Sequence, residues 1–367
     1  MRKKGFQYKR FIKNFFASVG VWAVMAVVVF NFIGLDKITA VALGEIKEKS
    51  VNVQDTKDTG QAVFGFENMK SEVEGDAVLL QTLNYDELRL QPETDNSVEI
   101  PSGKINITKE DLEKLSDINY LKRNFYTIDK RTDLESNDIK PEEFLNMDLS
   151  IDNKQDGPKI LIFHTHSQEM YADSDESKGI SEGVYGAGER LKETLEKKYG
   201  IEVLHDDGKY DVVDGKRHVL GSYERMEPYI TKILKDNPSI QVAIDIHRDG
   251  VNENIHLVAE AGGKQCAQVM FFNGLCKVYD NGVLVPTPGL ENKYLKDNLA
   301  FSFNMQLMAN EMYPNFTRRG YLNAYRYSLH MLPKSLEIEV GAQTNTKEEA
   351  FNAMEPLADV LAAVILK

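Results

Sequence analysis

The sequence predicts an α/β domain built on a mostly parallel central sheet with helices on its faces, preceded by an N-terminal transmembrane helix. From about residue 159 onward, apolar runs of strand length alternate with segments of helical spacing. Such alternation favours parallel strands joined by helical crossovers. Ahead of them, residues 15–35 form an apolar run with Asn31 as its only strongly polar side chain. That run has the length that a helix needs to cross a bilayer.

The first part of the chain predicts a membrane anchor followed by a spacer. Residues 1–14 carry six basic side chains and no acid, so this tail is expected to stay cytoplasmic and the chain after residue 35 to lie outside. A cleaved signal peptide is the alternative, but its apolar region is shorter, about 7 to 15 residues. Residues 36–117 are polar and predict a flexible spacer with one short helix, capped at Thr108. The folded domain is placed at residues 118–367.

Strands and helices alternate through that domain. A strand at residues 159–163 follows a Gly-Pro turn, and a helix at residues 191–199 ends at Gly200, as helices commonly end at glycine. Residues 201–204 give the next strand, followed by a helix at 223–234 and an apolar strand at 241–246. Farther along we predict short strands at 255–258 and 267–272 and a tight turn at Asn281. A helix at 291–313 and a strand at 335–340 follow. A capping box of Thr346 and Glu349 then starts the closing helix.

The net charge indicates which partners the chain can bind, and the cysteines indicate whether it contains a disulfide. The net charge of −13 argues against a general nucleic-acid binder, because phosphate binding needs clustered Lys and Arg. The chain has two cysteines, Cys266 and Cys276. They predict either one disulfide, if this part of the chain lies outside the cytoplasm, or two unpaired core thiols.

Three separate strands end in side chains suited to metal-assisted hydrolysis. His164, His166 and Glu169 follow the first strand, His247 follows the apolar strand 241–246, and Glu339 lies near the end of the last strand. In an open α/β sheet, ligands bind beyond the carboxyl ends of the strands. A catalytic zinc site takes about three His or carboxylate ligands, and a further carboxylate moves the proton. We therefore predict His166, Glu169 and His247 as zinc ligands and Glu339 as the catalytic residue.

Alternatives for the ligand set stay open at this point. His164 alternates with His166 and need not face the same way, so it is expected to support the site or to be an alternative ligand. Glu182 or Glu189, ahead of the next helix, are alternatives to Glu169 as the carboxylate ligand. The remaining histidines are assigned surface or packing roles: His205, His218, His256 and His330.

One further glutamate and four arginines are assigned roles from their positions in the sequence. Glu337 points the same way as Glu339 in a pleated strand, but it lies farther from the carboxyl end and is the weaker catalytic candidate. Arg248 is assigned to substrate binding, because guanidinium groups hold carboxylates through two parallel hydrogen bonds. The same role, or a solvated surface position, applies to Arg318, Arg319 and Arg326.

The segments around these residues resemble the stage II sporulation protein P family. They are residues 160–171, which contain His164-Thr165-His166 and Glu169, residues 242–249, and residues 336–341. The resemblance covers roughly residues 120–367. It implies an endospore-forming bacterium and a peptidoglycan hydrolase of engulfment, similar to zinc N-acetylmuramoyl-L-alanine amidases and carboxypeptidase-like in its fold. Endopeptidase activity on cross-links is also implied.

Carried over residue by residue, the resemblance implies that His166 and His247 are metal ligands and that Glu339 is the catalytic glutamate. Zinc amidases would place the carboxylate ligand near Glu182, whereas the three-residue spacing from His166 favours Glu169. The resemblance also implies Zn²⁺ as the cofactor, stage II sporulation proteins D and M as partners, and a single-pass position in the cell membrane with the domain outside. Two rivals remain: a non-catalytic wall-binding scaffold, and a zinc carboxypeptidase that trims stem peptides.

Overall fold

The computed structural model describes residues 105–366, and a seven-stranded sheet forms the centre of this part of the chain. Three two-stranded hairpins accompany the sheet. From one edge to the other, the sheet contains β1 (Tyr126–Ile128), β12 (Gly320–Asn323), β9 (Val269–Gly274), β13 (Ser335–Ala342), β6 (Val242–Asp249), β2 (Ile160–Phe163) and β3 (Val203–His205). The hairpins pair β4 (Val212–Val213) with β5 (Lys216–Arg217), β7 (Val258–Ala261) with β8 (Lys264–Ala267), and β10 (Lys277–Asp280) with β11 (Val283–Pro286).

The sheet is mostly parallel, as predicted. Within the described residues, β13, β6, β2 and β3 form one parallel block, and β1, β12 and β9 form a second. The two blocks meet at the antiparallel pair of β9 and β13. Because β2, β6 and β13 run the same way, their carboxyl ends lie at one edge of the sheet, where ligands bind in open α/β folds.

Helices cover both faces of the sheet. Ile160 and Ile162 of β2 belong to the large apolar cluster that also contains residues of two long helices near the start and end of the domain. Leu161 and Phe163 belong to a second cluster, formed with the helix that precedes β6. All four side chains are almost fully buried, and each such burial contributes about 1.5–3 kcal/mol. The helices are α1 (Lys109–Ser116), α2 (Ile118–Tyr120), α3 (Pro141–Leu145), α4 (Val184–Tyr199), α5 (Ser222–Asp236), α6 (Leu295–Met312), α7 (Lys347–Asn352) and α8 (Met354–Ile365).

The short helix predicted within the spacer is present, but it belongs to the folded unit. The Thr108 hydroxyl accepts a hydrogen bond from the Asp111 amide, and the Asp111 carboxylate accepts one from the Thr108 amide, which completes a capping box. Leu115 of α1 is buried in one cluster with Phe125. Since this burial ties α1 to the core, the folded unit begins before the predicted boundary at residue 118.

Other element boundaries differ from the prediction where tertiary contacts decide them. Helix α4 starts at Val184 rather than at residue 191, and its first turns contain Gly186 and Gly188, where neighbouring groups approach too closely for a side chain. A Cβ on Gly186 would lie 2.0 Å from the Ser181 carbonyl oxygen. The predicted strand at 255–258 is wrong, since β7 begins only at Val258, and the predicted strand at 267–272 is divided between β8 and β9.

Two further predictions concern the cysteines and the membrane. Cys266 and Cys276 are both free and buried, in agreement with two core thiols, and burial raises the pKa of Cys266 to about 11. Among residues 105–366, no helix combines the length and apolar composition that crossing a membrane requires. The predicted tail at 1–14, the span at 15–35 and most of the spacer lie outside the described residues.

Candidate metal centre

The carboxyl ends of β2, β6 and β13 bring the predicted site residues together. The ring centroids of His166 and His247 lie 5.2 Å apart, and Nδ1 of His247 lies 3.5 Å from Oε2 of Glu169. Glu339 is the register partner of His247 between β13 and β6. All four residues are at most 6% exposed, so the group is shielded from bulk water.

The loop after β2 holds Glu169 in this position. Its carboxylate oxygen Oε2 accepts a hydrogen bond from the Arg248 amide at 3.0 Å, and its carbonyl accepts one from the Val184 amide at 3.0 Å. Burial alone would raise the pKa of Glu169, but the contact with His247 and the nearby positive charges lower it to about 2. The carboxylate is therefore charged, as metal ligation requires.

Asp245, inside β6, orients the His247 ring. Its Oδ1 lies 2.9 Å from Nε2 of His247, and its two oxygens also accept hydrogen bonds from the amide and hydroxyl of Thr165. This geometry indicates that Nε2 carries the proton and that Nδ1 is turned towards Glu169. A carboxylate that holds the outer nitrogen of a histidine is typical of metal sites, where it fixes the ring and the tautomer.

A second donor set shares the same histidine. Ligand atoms of Asp245, His247 and Glu337 all lie within 4.8 Å of one another, and the three residues are buried. Burial raises the pKa of Glu337 to about 8, and its Oε1 accepts only a long hydrogen bond, 3.4 Å, from the Tyr223 hydroxyl. Asp245 is already occupied by Thr165, so the arrangement favours coordination through Nδ1 of His247, on the side of Glu169.

The electrostatics of this group fit a divalent cation. Burial alone would lower the pKa of His247, but Asp245 and Glu169 raise it well above its usual value, which shows that the surroundings favour positive charge there. Burial raises the pKa of Glu339, and the carboxylates of Asp249 and Glu169 raise it further. Buried carboxylates without a compensating charge are costly, and imidazole with carboxylate is a donor set that zinc prefers.

The family model of stage II sporulation protein P matches residues 68–362. The chain belongs to this family. Stage II sporulation protein P of Bacillus subtilis (strain 168) is 23% identical over an alignment of 214 positions, which covers 55% of this chain and 49% of that protein. The chain thus spans about half the length of this curated relative.

Two solved structures of N-acetylmuramyl-L-alanine amidases are also similar to the chain. The apo enzyme of Mycobacterium abscessus has a TM-score of 0.28 and 11% identity, covering 56% of this chain and 95% of its own. The enzyme of Mycobacterium smegmatis has a TM-score of 0.31 and 9% identity, covering 59% of this chain and 96% of its own.

Glu182 and Glu189, the alternative carboxylate ligands of this family member, have other partners. Glu182 forms an ion pair with Lys347 at 2.6 Å, and Glu189 binds Nδ1 of His205. His164, predicted to support the site or to be an alternative ligand, contacts His205 instead: their Nε2 atoms lie 2.8 Å apart. Burial lowers the pKa of His164 to about 3 and that of His205 to about 4.

The arginines assigned to substrate all bind acceptors within the protein. Nε of Arg248 donates to the Met170 carbonyl at 2.7 Å, which ties β6 to the loop that carries Glu169. Its assignment to substrate binding stays a prediction. The other three bind neighbouring groups: Arg318 pairs with Asp249, Arg319 binds the Thr127 hydroxyl, and Arg326 pairs with Glu227.

Sequence reasoning missed two acids of the site, Asp245 and Glu337. Asp245 is the single charged side chain in the apolar run at 241–246, and burying an ion inside a strand is costly unless it has partners. A lone charged side chain inside an apolar strand is therefore a sequence signal that could have selected Asp245. Glu337 was set aside because it lies farther from the strand end, yet it is the register partner of Asp245.

Tyr223 packs against one of the site histidines. The Tyr223 ring meets the His166 ring edge-on with centroids 5.6 Å apart, and the Tyr327 ring packs against Tyr223 with centroids 5.6 Å apart. Tyr327 has a φ of +51°, which is uncommon for a bulky residue.

Proposed function

We propose that the chain is a membrane-anchored, zinc-dependent peptidoglycan hydrolase of sporulation that cleaves the amide between N-acetylmuramic acid and L-alanine. One observation carries the proposal: His166, Glu169 and His247 meet at the carboxyl edge of the sheet, with Glu339 in register beside His247. Family membership supports the role in sporulation. The likeness of residues 336–341 to the last strand of zinc amidases supports the identity of the bond that we propose is cut.

Each residue of the group has a distinct task in this proposal. His166, Glu169 and His247 would hold a zinc ion, which would polarise a carbonyl and lower the pKa of water towards neutrality. The positive charge of that ion would lower the raised pKa of Glu339, so that its carboxylate accepts the proton of the attacking water and passes it to the leaving nitrogen. Its Oε2 is buried and has no hydrogen-bond partner among the described residues, so this oxygen is available for proton transfer. Asp245 and the Arg248 amide orient His247 and Glu169.

The setting of the reaction rests on the sequence and on the family resemblance. Residues 15–35 anchor the chain in the cell membrane, with the catalytic domain outside the cytoplasm, where peptidoglycan is the nearest polymer. Stage II sporulation proteins D and M are its partners. Endopeptidase cleavage of cross-links is a second activity of the same site.

The test is digestion of isolated cell wall by the full chain, purified in detergent, with products identified by mass. The amidase predicts glycan strands with free lactyl groups and stem peptides that begin at L-alanine. Activity should stop with a chelator and return with zinc, and Glu339→Gln is the inactive control.

Other products identify the rivals. Release of single terminal residues would identify a carboxypeptidase, and cleaved cross-links would show endopeptidase activity. A Glu339→Gln chain that still supports engulfment in vivo would identify a non-catalytic scaffold. Digestion that ignores chelation would overturn the metal mechanism.

A further inference from the structure

A pair of histidines lies beside the candidate metal centre and takes no part in it. His164 directly follows β2, and His205 ends β3, the neighbouring parallel strand. Both side chains are buried, at about 1% exposure, and their Nε2 atoms face each other at 2.8 Å.

The outer nitrogens of both rings have acceptors as partners. Nδ1 of His164 lies 2.9 Å from the Ile246 carbonyl oxygen, and Nδ1 of His205 is bound to the Glu189 carboxylate. A carbonyl or an ionised carboxylate can only accept, so each Nδ1 carries the hydrogen. In a neutral imidazole the other nitrogen is then an acceptor. Two lone pairs therefore point at each other, an arrangement that is repulsive unless a cation lies between them.

The surroundings favour a metal ion over a proton as that cation. An outer carbonyl or carboxylate on the second ring nitrogen is the usual support of a metal-binding histidine, and both rings have one. The rings are also held in place, since Tyr185 stacks on His205 with centroids 4.3 Å apart.

Gly188 of α4 lies close to both lone pairs. A Cβ at this position would lie 2.8 Å from Nε2 of His205 and 2.9 Å from Nε2 of His164, so a larger residue would crowd the two nitrogens. A shared proton lies on the line between the nitrogens, whereas an ion lies off that line. With a metal–nitrogen length of about 2.1 Å, nitrogens 2.8 Å apart subtend about 84° at the ion. Widening their separation by about 0.6 Å would give a tetrahedral angle.

We propose that His164 and His205 bind a second transition-metal ion through their Nε2 atoms, separate from the ion held by His166, Glu169 and His247. Imidazole ligands suit zinc, nickel or copper, and water completes the coordination. This site goes beyond the proposed hydrolase activity and does not depend on it.

The experiment counts metal ions in the full chain, purified in detergent, loaded with zinc, dialysed and measured by mass spectrometry. We expect two zinc ions per chain in the wild type and one in His205→Gln. Gly188→Ala, which keeps both histidines but fills the space beside them, should also hold one. His256→Gln is the matched control, since this histidine binds the Glu349 carboxylate instead, and it should hold two. His166→Gln should lose only the other ion.

The outcomes separate this proposal from the proposed function. A wild type with one zinc ion that His205→Gln keeps and His166→Gln loses would overturn the second site and leave the hydrolase centre intact. One zinc ion that His205→Gln loses and His166→Gln keeps would support this site and remove the hydrolase centre. If His205→Gln does not fold by circular dichroism, Gly188→Ala and nitrogen-15 NMR decide: an imidazolium signal from His205 that zinc does not change means that the cation is a proton.

Discussion

The role of Asp245 gives the sharpest test of the site geometry. We expect Asp245→Asn to weaken zinc binding at the centre of His166, Glu169 and His247 by about 10- to 100-fold, the usual effect of losing a partner that orients a ligand. This corresponds to about 1.4–2.7 kcal/mol of binding free energy. The substitution keeps the shape of the side chain but removes the charge 2.9 Å from Nε2 of His247.

The size of the effect distinguishes an orienting residue from a ligand. If Asp245 positions His247, as its contacts with Thr165 indicate, Glu337→Gln should leave the zinc affinity within a few-fold of wild type. If Asp245, His247 and Glu337 held the ion themselves, both substitutions would remove a ligand, and both losses would exceed the 100-fold expected of an orienting residue.

The assay is competition with a chromogenic zinc chelator, with every variant made in a His205→Gln background so that the second proposed site does not contribute. Asp359→Asn is the matched control: this carboxylate is also buried and accepts from the Tyr199 and Tyr313 hydroxyls, and no histidine is among its hydrogen-bond partners in the described residues. Its zinc affinity should not change. An Asp245→Asn chain that is folded and binds zinc as tightly as wild type would refute the reasoning.

Three further predictions follow from other contacts. Glu339→Gln should lower wall hydrolysis by about 100-fold or more, as expected for loss of a proton-transfer group, and keep its zinc; loss of zinc would make Glu339 a ligand. Glu169→Gln should lose zinc while Glu182→Gln keeps it, since Glu182 pairs with Lys347; the reverse result in metal analysis would assign the ligand to Glu182. Thr108→Ala should lower the free energy of unfolding in urea by about 1 kcal/mol, the value of a helix cap, and an unchanged midpoint would mean that this cap adds no stability to the folded unit.

Local pattern and general topology together predict that the site residues converge, and their roles as metal ligands and catalytic residue stay predictions. His166, His247 and Glu339 follow or end apolar runs, and parallel strands bring such ends to one edge, so their convergence was predictable without coordinates. The choice of Glu169 over Glu182 had a weaker basis, a three-residue spacing. It gained support from contacts that the sequence does not display: Glu169 accepts from the Arg248 amide, and Glu182 is paired with Lys347.

The sequence is silent where distant segments determine a residue's neighbours. His205 is assigned a surface or packing role, and its ring is buried, but nothing near it in sequence indicates that β3 pairs beside β2 and sets it against His164. The sequence likewise placed α1 in a spacer, since its capping box is local but its burial through Leu115 depends on a distant cluster.

By itself, the sequence determined the alternation of strands and helices, the ends of the strands that carry chemistry and the family to which they belong, because hydrophobic period and motif spacing are local properties. The tertiary structure alone decided which nitrogen of His247 faces Glu169, which acids surround it, and that β9 runs against β13. These depend on register and on burial against elements far apart in the chain, and a hydrogen bond between such elements forms only once the sheet has been assembled.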